Sequence, residues 1–353
     1  MWLRRLLFVF VGSAWLVISH PAAAGIAILQ YHHIGDDTPR VTSVTVAELE
    51  AHLDYLVEQD FTVLSLTEAA AYLAEGKPLP ARAAAITFDD GWLNVYTEGL
   101  ELFKKYQLPF TIFVNPALMR ETPHLYMSWD QLRELQKYGA TIANHSNSHS
   151  HMTWRLEGES DCEWLARQRA DVVEAQAEIE AELGEQPKLF AYPFGEYNPA
   201  LEQMLLEEGY IAFGQHSGPW GKYSPPAAIP RFPASAQYSK LATLQTKLLS
   251  LPLPVIAVEP ENMILEHETK RPHLQVSLKD QDDFMPGQMN CFFGSEVVQP
   301  LWAGLTFTLQ APKALPVGRS RINCTVPSQS KSGRFYWFSQ PFVRPDANGR
   351  WPD

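Results

Sequence analysis

Apolar positions along this chain fall into two registers. From Gly25 to about residue 215, short apolar runs alternate with stretches of helical spacing. Ile26 to Tyr31, Ala83 to Phe88, Phe110 to Val114, Thr141 to Asn144, Leu189 to Tyr192 and Tyr210 to Phe213 have the length and apolar content of strands. Between them, Thr45 and Glu48 form a capping box ahead of Leu49, Leu53, Leu56 and Val57. One helix is expected from about Leu93 to Tyr106, and Ser128 with Gln131 opens another that ends near Gly139. Ser160 and Glu163 cap a long helix that stops near Gly184, and Asn198-Pro199 starts one that stops at Gly209. Such β/α alternation predicts a parallel sheet with helices outside, open or closed into a barrel. In folds of that kind the chemistry gathers where the strands end, at their C-terminal edge.

After about Gly218 the pattern changes. Pro219, Pro225, Pro226, Pro230, Pro233, Pro252, Pro254 and Pro260 mark an irregular loop and then a linker, with a short helix allowed from Lys240 to Leu249. From about Val255 the apolar positions alternate in short segments: His273 to Leu278, Leu305 to Leu309, Arg321 to Val326 and Arg334 to Phe338. A small all-β, sandwich-like domain is expected over residues 255–353, following an α/β domain over 25–250. Its aromatic residues, Phe335 to Phe338 with Trp302 and Trp351, either fill the sandwich core or stack on sugar rings.

Composition narrows the possible partners. The 353 residues are 46% hydrophobic and 19% charged, which argues against disorder. A net charge of -12 argues against broad attraction to nucleic acid or anionic lipid. Arg4 and Arg5, the apolar stretch from Leu6 to Ile18 and the small residues up to Gly25 form a secretory signal over 1–24, cut after Ala24. The stretch falls short of the roughly 20 residues a spanning helix needs. An exported protein with no stable membrane insertion after cleavage is therefore expected. Export permits a disulfide. Cys291 and Cys324 lie close enough in the chain to pair, leaving Cys162 free.

Three constellations carry chemistry, each at a strand end. Thr87-Phe88-Asp89-Asp90-Gly91 sets two carboxylates side by side, which repel unless a cation or donors lie nearby. His145-Ser146-Asn147-Ser148-His149 places two imidazoles on one face if a helical turn begins there, and His151 would then face elsewhere. One carboxylate and two imidazoles with an open position suit catalytic zinc, and also accept iron, cobalt or nickel. Phe190-Ala191-Tyr192-Pro193-Phe194-Gly195 is a turn that can aim backbone N–H groups into a site.

In this order, TFDDG, HSNSH and AYPFG resemble the polysaccharide deacetylases with a NodB-homology domain, carbohydrate esterase family 4, over about Gly25 to Pro233. Tyr31-His32, AYPFGEY and Ile229 to Pro233 are most similar to the branch that deacetylates poly-β-1,6-N-acetylglucosamine. The resemblance implies a distorted (β/α)7 barrel, a divalent metal and an N-acetylated polysaccharide substrate. It implies Asp89 as general base, Asp90, His145 and His149 as metal ligands, and the Phe194 N–H as an oxyanion donor. His32, Tyr192 and Pro193 are expected at the pocket or just behind it. Two family features are missing. The arginine that usually opens the third motif is Ala191 here, with Arg231 expected to fill the gap from another loop. The leucine-histidine motif that supplies the acid is absent, and His216 is the nearest candidate for that role. Peptidoglycan, chitin oligomers and O-acetyl esters remain open as substrates, as does a weakened, glycan-binding protein.

Overall fold

The computed structural model describes residues 25–352, so the secretory signal expected over 1–24 lies outside the described residues. Seven parallel strands make the first sheet: β1 (Ile26–Tyr31), β2 (Ala83–Phe88), β3 (Phe110–Val114), β4 (Ala140–Asn144), β5 (Leu189–Ala191), β6 (Ile211–Phe213) and β7 (Phe232–Pro233). Their spatial order is β7-β1-β2-β3-β4-β5-β6, and a further two-residue strand, Thr62–Val63, pairs with the start of β2. β1, β2 and β3 are buried along their whole length, as expected of continuous apolar strands covered on both faces.

The sheet closes on itself through the segment 229–233. Ile229 bridges Phe213 of β6, donating to Ala212 O at 2.9 Å and accepting from Gly214 N at 2.9 Å. Three residues later Phe232 pairs with Leu29 of β1. One short proline-rich segment thus joins the last strand to the first, which is why the barrel is distorted. The proline pattern had marked this stretch as irregular loop. It holds a strand nonetheless, too short to leave a periodic signal.

Capping boxes open the helices Val46–Glu58, Leu66–Ala74, Trp129–Gln136 and Asp161–Leu183. The expected single helix over 93–106 is two, Leu93–Thr97 and Leu100–Tyr106. The chain breaks at Gly99, where an added Cβ would lie 2.4 Å from Val95 O and 2.8 Å from Ile34 Cδ1. Only glycine permits that close approach.

The remaining strands form two further sheets. One, of five strands, runs Leu251–Pro252, Phe335–Arg344, Gly318–Pro327, Asn290–Phe293, Glu296–Val298; the other, of four, runs Val255–Glu259, His273–Leu278, Thr306–Gln310, Leu301–Ala303. Leu274, Val276 and Phe307 from one sheet pack against Ile322, Cys324 and Phe342 from the other, making a sandwich core. Cys291 and Cys324 face each other across the ladder and are disulfide-bonded, and Cys162 is free and exposed. Several of the sandwich's aromatic residues pack. Tyr336 lies in the sandwich core, Trp337 meets Phe232 of the barrel edge-on at 5.3 Å, and Trp351 is buried.

Candidate metal centre

The three motifs converge because β2, β4 and β5 run parallel in one sheet, β4 beside β5 and only β3 between β2 and β4, and their C-terminal ends lie on one edge. Asp89 and Asp90 follow β2, His145 follows β4 and Phe194 lies in the turn after β5. Asp89 N–H donates to Tyr31 O at 2.9 Å and His145 N–H to Val114 O at 3.0 Å, so strand-like pairing carries both residues to the edge.

Asp90 Oδ1 is 3.1 Å from His145 Nε2 and 3.2 Å from His149 Nε2. His145 Nδ1 lies 2.7 Å from Ala191 O. A carbonyl only accepts, so Nδ1 carries the hydrogen and Nε2 turns a lone pair toward Asp90. Asp90 Oδ1 and His145 Nε2 are both buried with no hydrogen-bond partner. Two unpartnered acceptors held this close are costly unless a cation lies between them. One ligand atom each from Asp90, His145 and His149 lie within 4.8 Å of one another, so the set fits a divalent metal. The other Asp90 oxygen, Oδ2, accepts from Trp92 Nε1 at 2.7 Å. Orientation of this kind, behind the ligands, sets the geometry the metal meets.

The histidines converge by a different route from the one their spacing suggested. Residues 145–149 form no helical turn. Ser146 and His149 adopt left-handed backbone, φ 65° and 51°, and fold the loop so that both rings reach Asp90. Side chains support this backbone: Asn144 Oδ1 accepts from Ser146 N at 2.9 Å, Ser146 Oγ from His149 N at 3.0 Å, and Asn115 Nδ2 donates to the carbonyls of His145 and Ser146. His151, expected to face elsewhere, lies outside the ligand set, across the Phe194 ring from His149. Its ring stacks on Phe194 at 4.0 Å and its Nδ1 lies 2.8 Å from Glu196 Oε2.

Asp89 is fully buried beside the ligands. Arg231 grips it with both arms, Nη1 to Oδ1 at 2.6 Å and Nη2 to Oδ2 at 2.7 Å, and Gln30 Nε2 donates to Oδ2 at 2.7 Å. Burial pushes the carboxyl up, but Arg231, together with His145 and His32, holds Asp89 below the usual carboxylate range. Arg231 is itself fully buried and donates from Nε to Gly214 O at 2.9 Å. It stands just before β7, so the segment that closes the barrel also delivers the guanidinium expected from another loop.

The remaining expected residues divide. His32 Nε2 lies 3.9 Å from Asp89 Oδ2, with its side chain partly open to solvent. Phe194 takes left-handed backbone, φ 58°, and its ring meets His149 edge-on at 4.7 Å. Pro193 is buried in the same turn. Tyr192 is fully buried and donates its hydroxyl to Ala227 O at 3.0 Å, so it supports the turn from behind. His216 stands beside Arg231, whose backbone N–H donates to its carbonyl at 2.9 Å. It lines a cavity of about 710 Å³ with Tyr197, Glu202, Pro230 and Trp337, and none of Asp89, Asp90, His145 or His149 borders that cavity. Burial, aided by Arg231, lowers its pKa to about 4, so its ring is neutral rather than imidazolium near neutral pH. Its charge state argues against the expected role of acid.

Sequence reasoning missed Gln30, Trp92 and Glu196. Gln30 and Glu196 act on partners that only folding brings near, while Trp92 is two residues from Asp90 but nothing in its type marks it as a support.

Residues 76–213 match the family model described as polysaccharide deacetylase. A Bacillus subtilis (strain 168) protein, YxkH, named provisionally as a polysaccharide deacetylase, is 27% identical over 198 residues, 56% of this chain and 66% of its own length. The poly-beta-1,6-N-acetyl-D-glucosamine N-deacetylase of Escherichia coli (strain K12) is 24% identical over 225 residues, 54% of this chain and 33% of its own length. The chain thus spans less than two thirds of either relative. Among solved structures, the Streptococcus pyogenes deacetylase PplD superposes with a TM-score of 0.57 at 21% identity, covering 64% of this chain and 99% of that one. IcaB from Ammonifex degensii superposes with a TM-score of 0.55 at 24% identity, covering 62% and 96%. Both likenesses bear on the fold of the barrel.

Proposed function

The chain carries a polysaccharide deacetylase domain, and from that premise we propose that it is a metal-dependent hydrolase that removes N-acetyl groups from an N-acetylglucosamine-containing polysaccharide and releases acetate. The observation that carries this reading is Asp89, held ionised by Arg231 directly beside the Asp90, His145 and His149 set. A base next to a metal site is an arrangement for activating water, and a binding protein would need neither.

Two imidazoles and one carboxylate suit zinc, and cobalt, nickel or iron fit the same donors. A divalent cation held there supplies Lewis acidity and lowers the pKa of water from 15.7 towards about 7. The protein's own groups do the rest. Asp89 accepts the proton of the attacking water, since its carboxylate oxygens keep lone pairs beyond those that Arg231 and Gln30 engage. The Phe194 N–H, aimed by its turn, donates to the oxyanion as the carbonyl carbon becomes tetrahedral, an interaction worth roughly 3–4 kcal/mol. The C–N bond then breaks and the nitrogen needs a proton. His32, at 3.9 Å from Asp89 and open to solvent on its other side, supplies it in place of His216. Acetate and a free amine leave.

The polymer is argued from the relatives. Proteins of Escherichia coli and Staphylococcus aureus named as poly-beta-1,6-N-acetyl-D-glucosamine N-deacetylases match at 24% and 23% identity. Acetate release is accordingly expected to be greatest on that polymer, and lower on peptidoglycan, chitin oligomers and O-acetyl esters. We also propose export, with the mature chain starting at Gly25; mass spectrometry of protein from the culture medium or periplasm checks it.

The test of the mechanism is Asp89→Asn. Its acetate release should fall by about 10²–10⁴-fold, the usual contribution of a general base, while its metal content matches the unmodified protein. Full activity in this variant would reject Asp89 as the base.

A further inference from the structure

The metal centre has a wall that is built partly by the other domain. Phe194 stands between two imidazoles, edge-on to the ligand His149 at 4.7 Å and stacked on His151 at 4.0 Å. His151 is itself sandwiched, with Trp154 on its far face at 3.8 Å, and its Nδ1 is 2.8 Å from Glu196 Oε2. The ring beside the ligand is thus held in place by the carboxylate two residues after Phe194.

Glu196 is fully buried, and its other oxygen is held from the C-terminal domain. Oε1 accepts from Trp351 Nε1 at 2.7 Å and from Arg319 Nη1 at 3.3 Å. Arg319 stands at the start of the strand Gly318–Pro327, and its guanidinium also lies over the Phe194 ring at 5.4 Å. Trp351 meets Trp154 edge-on at 5.5 Å, Arg350 covers Trp154 at 4.6 Å, and Arg350 Nη2 donates to Arg155 O at 2.8 Å. The end of the chain therefore clasps the 151–155 loop that follows the second ligand. A buried carboxylate is tolerated only when paired and hydrogen-bonded. Two of the three groups that satisfy this one come from the sandwich domain.

We propose that Glu196 is a positioning residue for deacetylation, and that through it Arg319 and Trp351 of the C-terminal domain hold the Phe194 turn at the geometry turnover requires. The inference rests on the proposed function, in which the Phe194 N–H meets the oxyanion. That N–H is useful only if it is aimed to within a fraction of an ångström, and a misplacement of about 1 Å costs on the order of a hundredfold in rate. Asp90 and His145 are supported from outside the clasp, and His149 meets it only through an edge contact with the Phe194 ring, so metal content should change less than turnover. The sandwich domain thereby acts on catalysis without touching substrate.

The experiment uses full-length protein with Trp351→Phe, which keeps the ring and removes the N–H, and with Arg319→Ala and Arg319→Lys. Metal content, melting temperature, kcat and KM for acetate release are measured on one acetylated polymer. Trp351→Phe and Arg319→Ala should each lower kcat on the order of tenfold when assayed well below melting, with KM and metal content near those of the unmodified protein and a melting temperature lowered by the donor that Glu196 loses. Arg319→Lys should recover most of the loss, since an ammonium still faces Glu196. Unchanged kcat in both Trp351→Phe and Arg319→Ala overturns the proposal, as does a kcat that falls only in step with metal content. Unmodified protein that releases no acetate from any acetylated polymer rejects the parent reading as well, which separates the two failures.

Discussion

Individual residues announce this site when their chemistry is unusual along the chain itself. Two adjacent carboxylates and two histidines four apart stand out in any sequence, and Asp90, His145 and His149 do meet within a few ångströms. What stayed hidden were single residues whose meaning is a contact. Trp92 and Gln30 are an ordinary tryptophan and glutamine until folding aims them, whereas Arg231, 142 residues from Asp89, was legible only because the third motif lacks its arginine. Two predictions belong here. Arg231→Met leaves a fully buried carboxylate without its partner and should cost about 3–5 kcal/mol in denaturant unfolding. Trp92→Phe removes the donor to Asp90 Oδ2 but keeps a ring, so metal affinity should drop about 10–100-fold in competition with a chelator.

At the scale of elements, apolar periodicity located the long strands and helices, and cap residues marked several helix starts to the residue. It failed where backbone conformation rather than periodicity decides. The HSNSH loop brings its histidines together through left-handed Ser146 and His149, so helical spacing gave a sound pairing for the wrong reason. The two-residue strand Phe232–Pro233 has no period at all, yet it closes the barrel and sets Arg231. The helix Pro199–Glu207 carries a prediction of its own. Burial, and secondarily Glu261, raises Glu202 to about 7 from an ordinary 4.5. The folded protein then holds a proton that the unfolded chain releases between those values, so this contribution to stability is intact below about pH 4.5 and lost as pH rises through about 7. Glu202→Gln carries no charge to bury. It should match the unmodified protein below pH 4.5 and exceed it above pH 7, by on the order of 1–3 kcal/mol in melts taken across that range.

For the whole molecule, the change from β/α alternation to short alternating strands indicated a barrel followed by a sandwich, and both are present. The relation between them was not legible. Contacts such as Trp351 with Glu196 join residues 155 apart, and no local pattern encodes them. The sandwich is consequently part of the centre's surroundings as well as a neighbour of the barrel. The central claim is that a metal held by Asp90, His145 and His149 is required for deacetylation, and removal of that metal tests it most directly. Acetate release from poly-β-1,6-N-acetylglucosamine should vanish after chelation and dialysis and return on addition of one equivalent of zinc. Release that persists in protein shown to be metal-free would contradict the account.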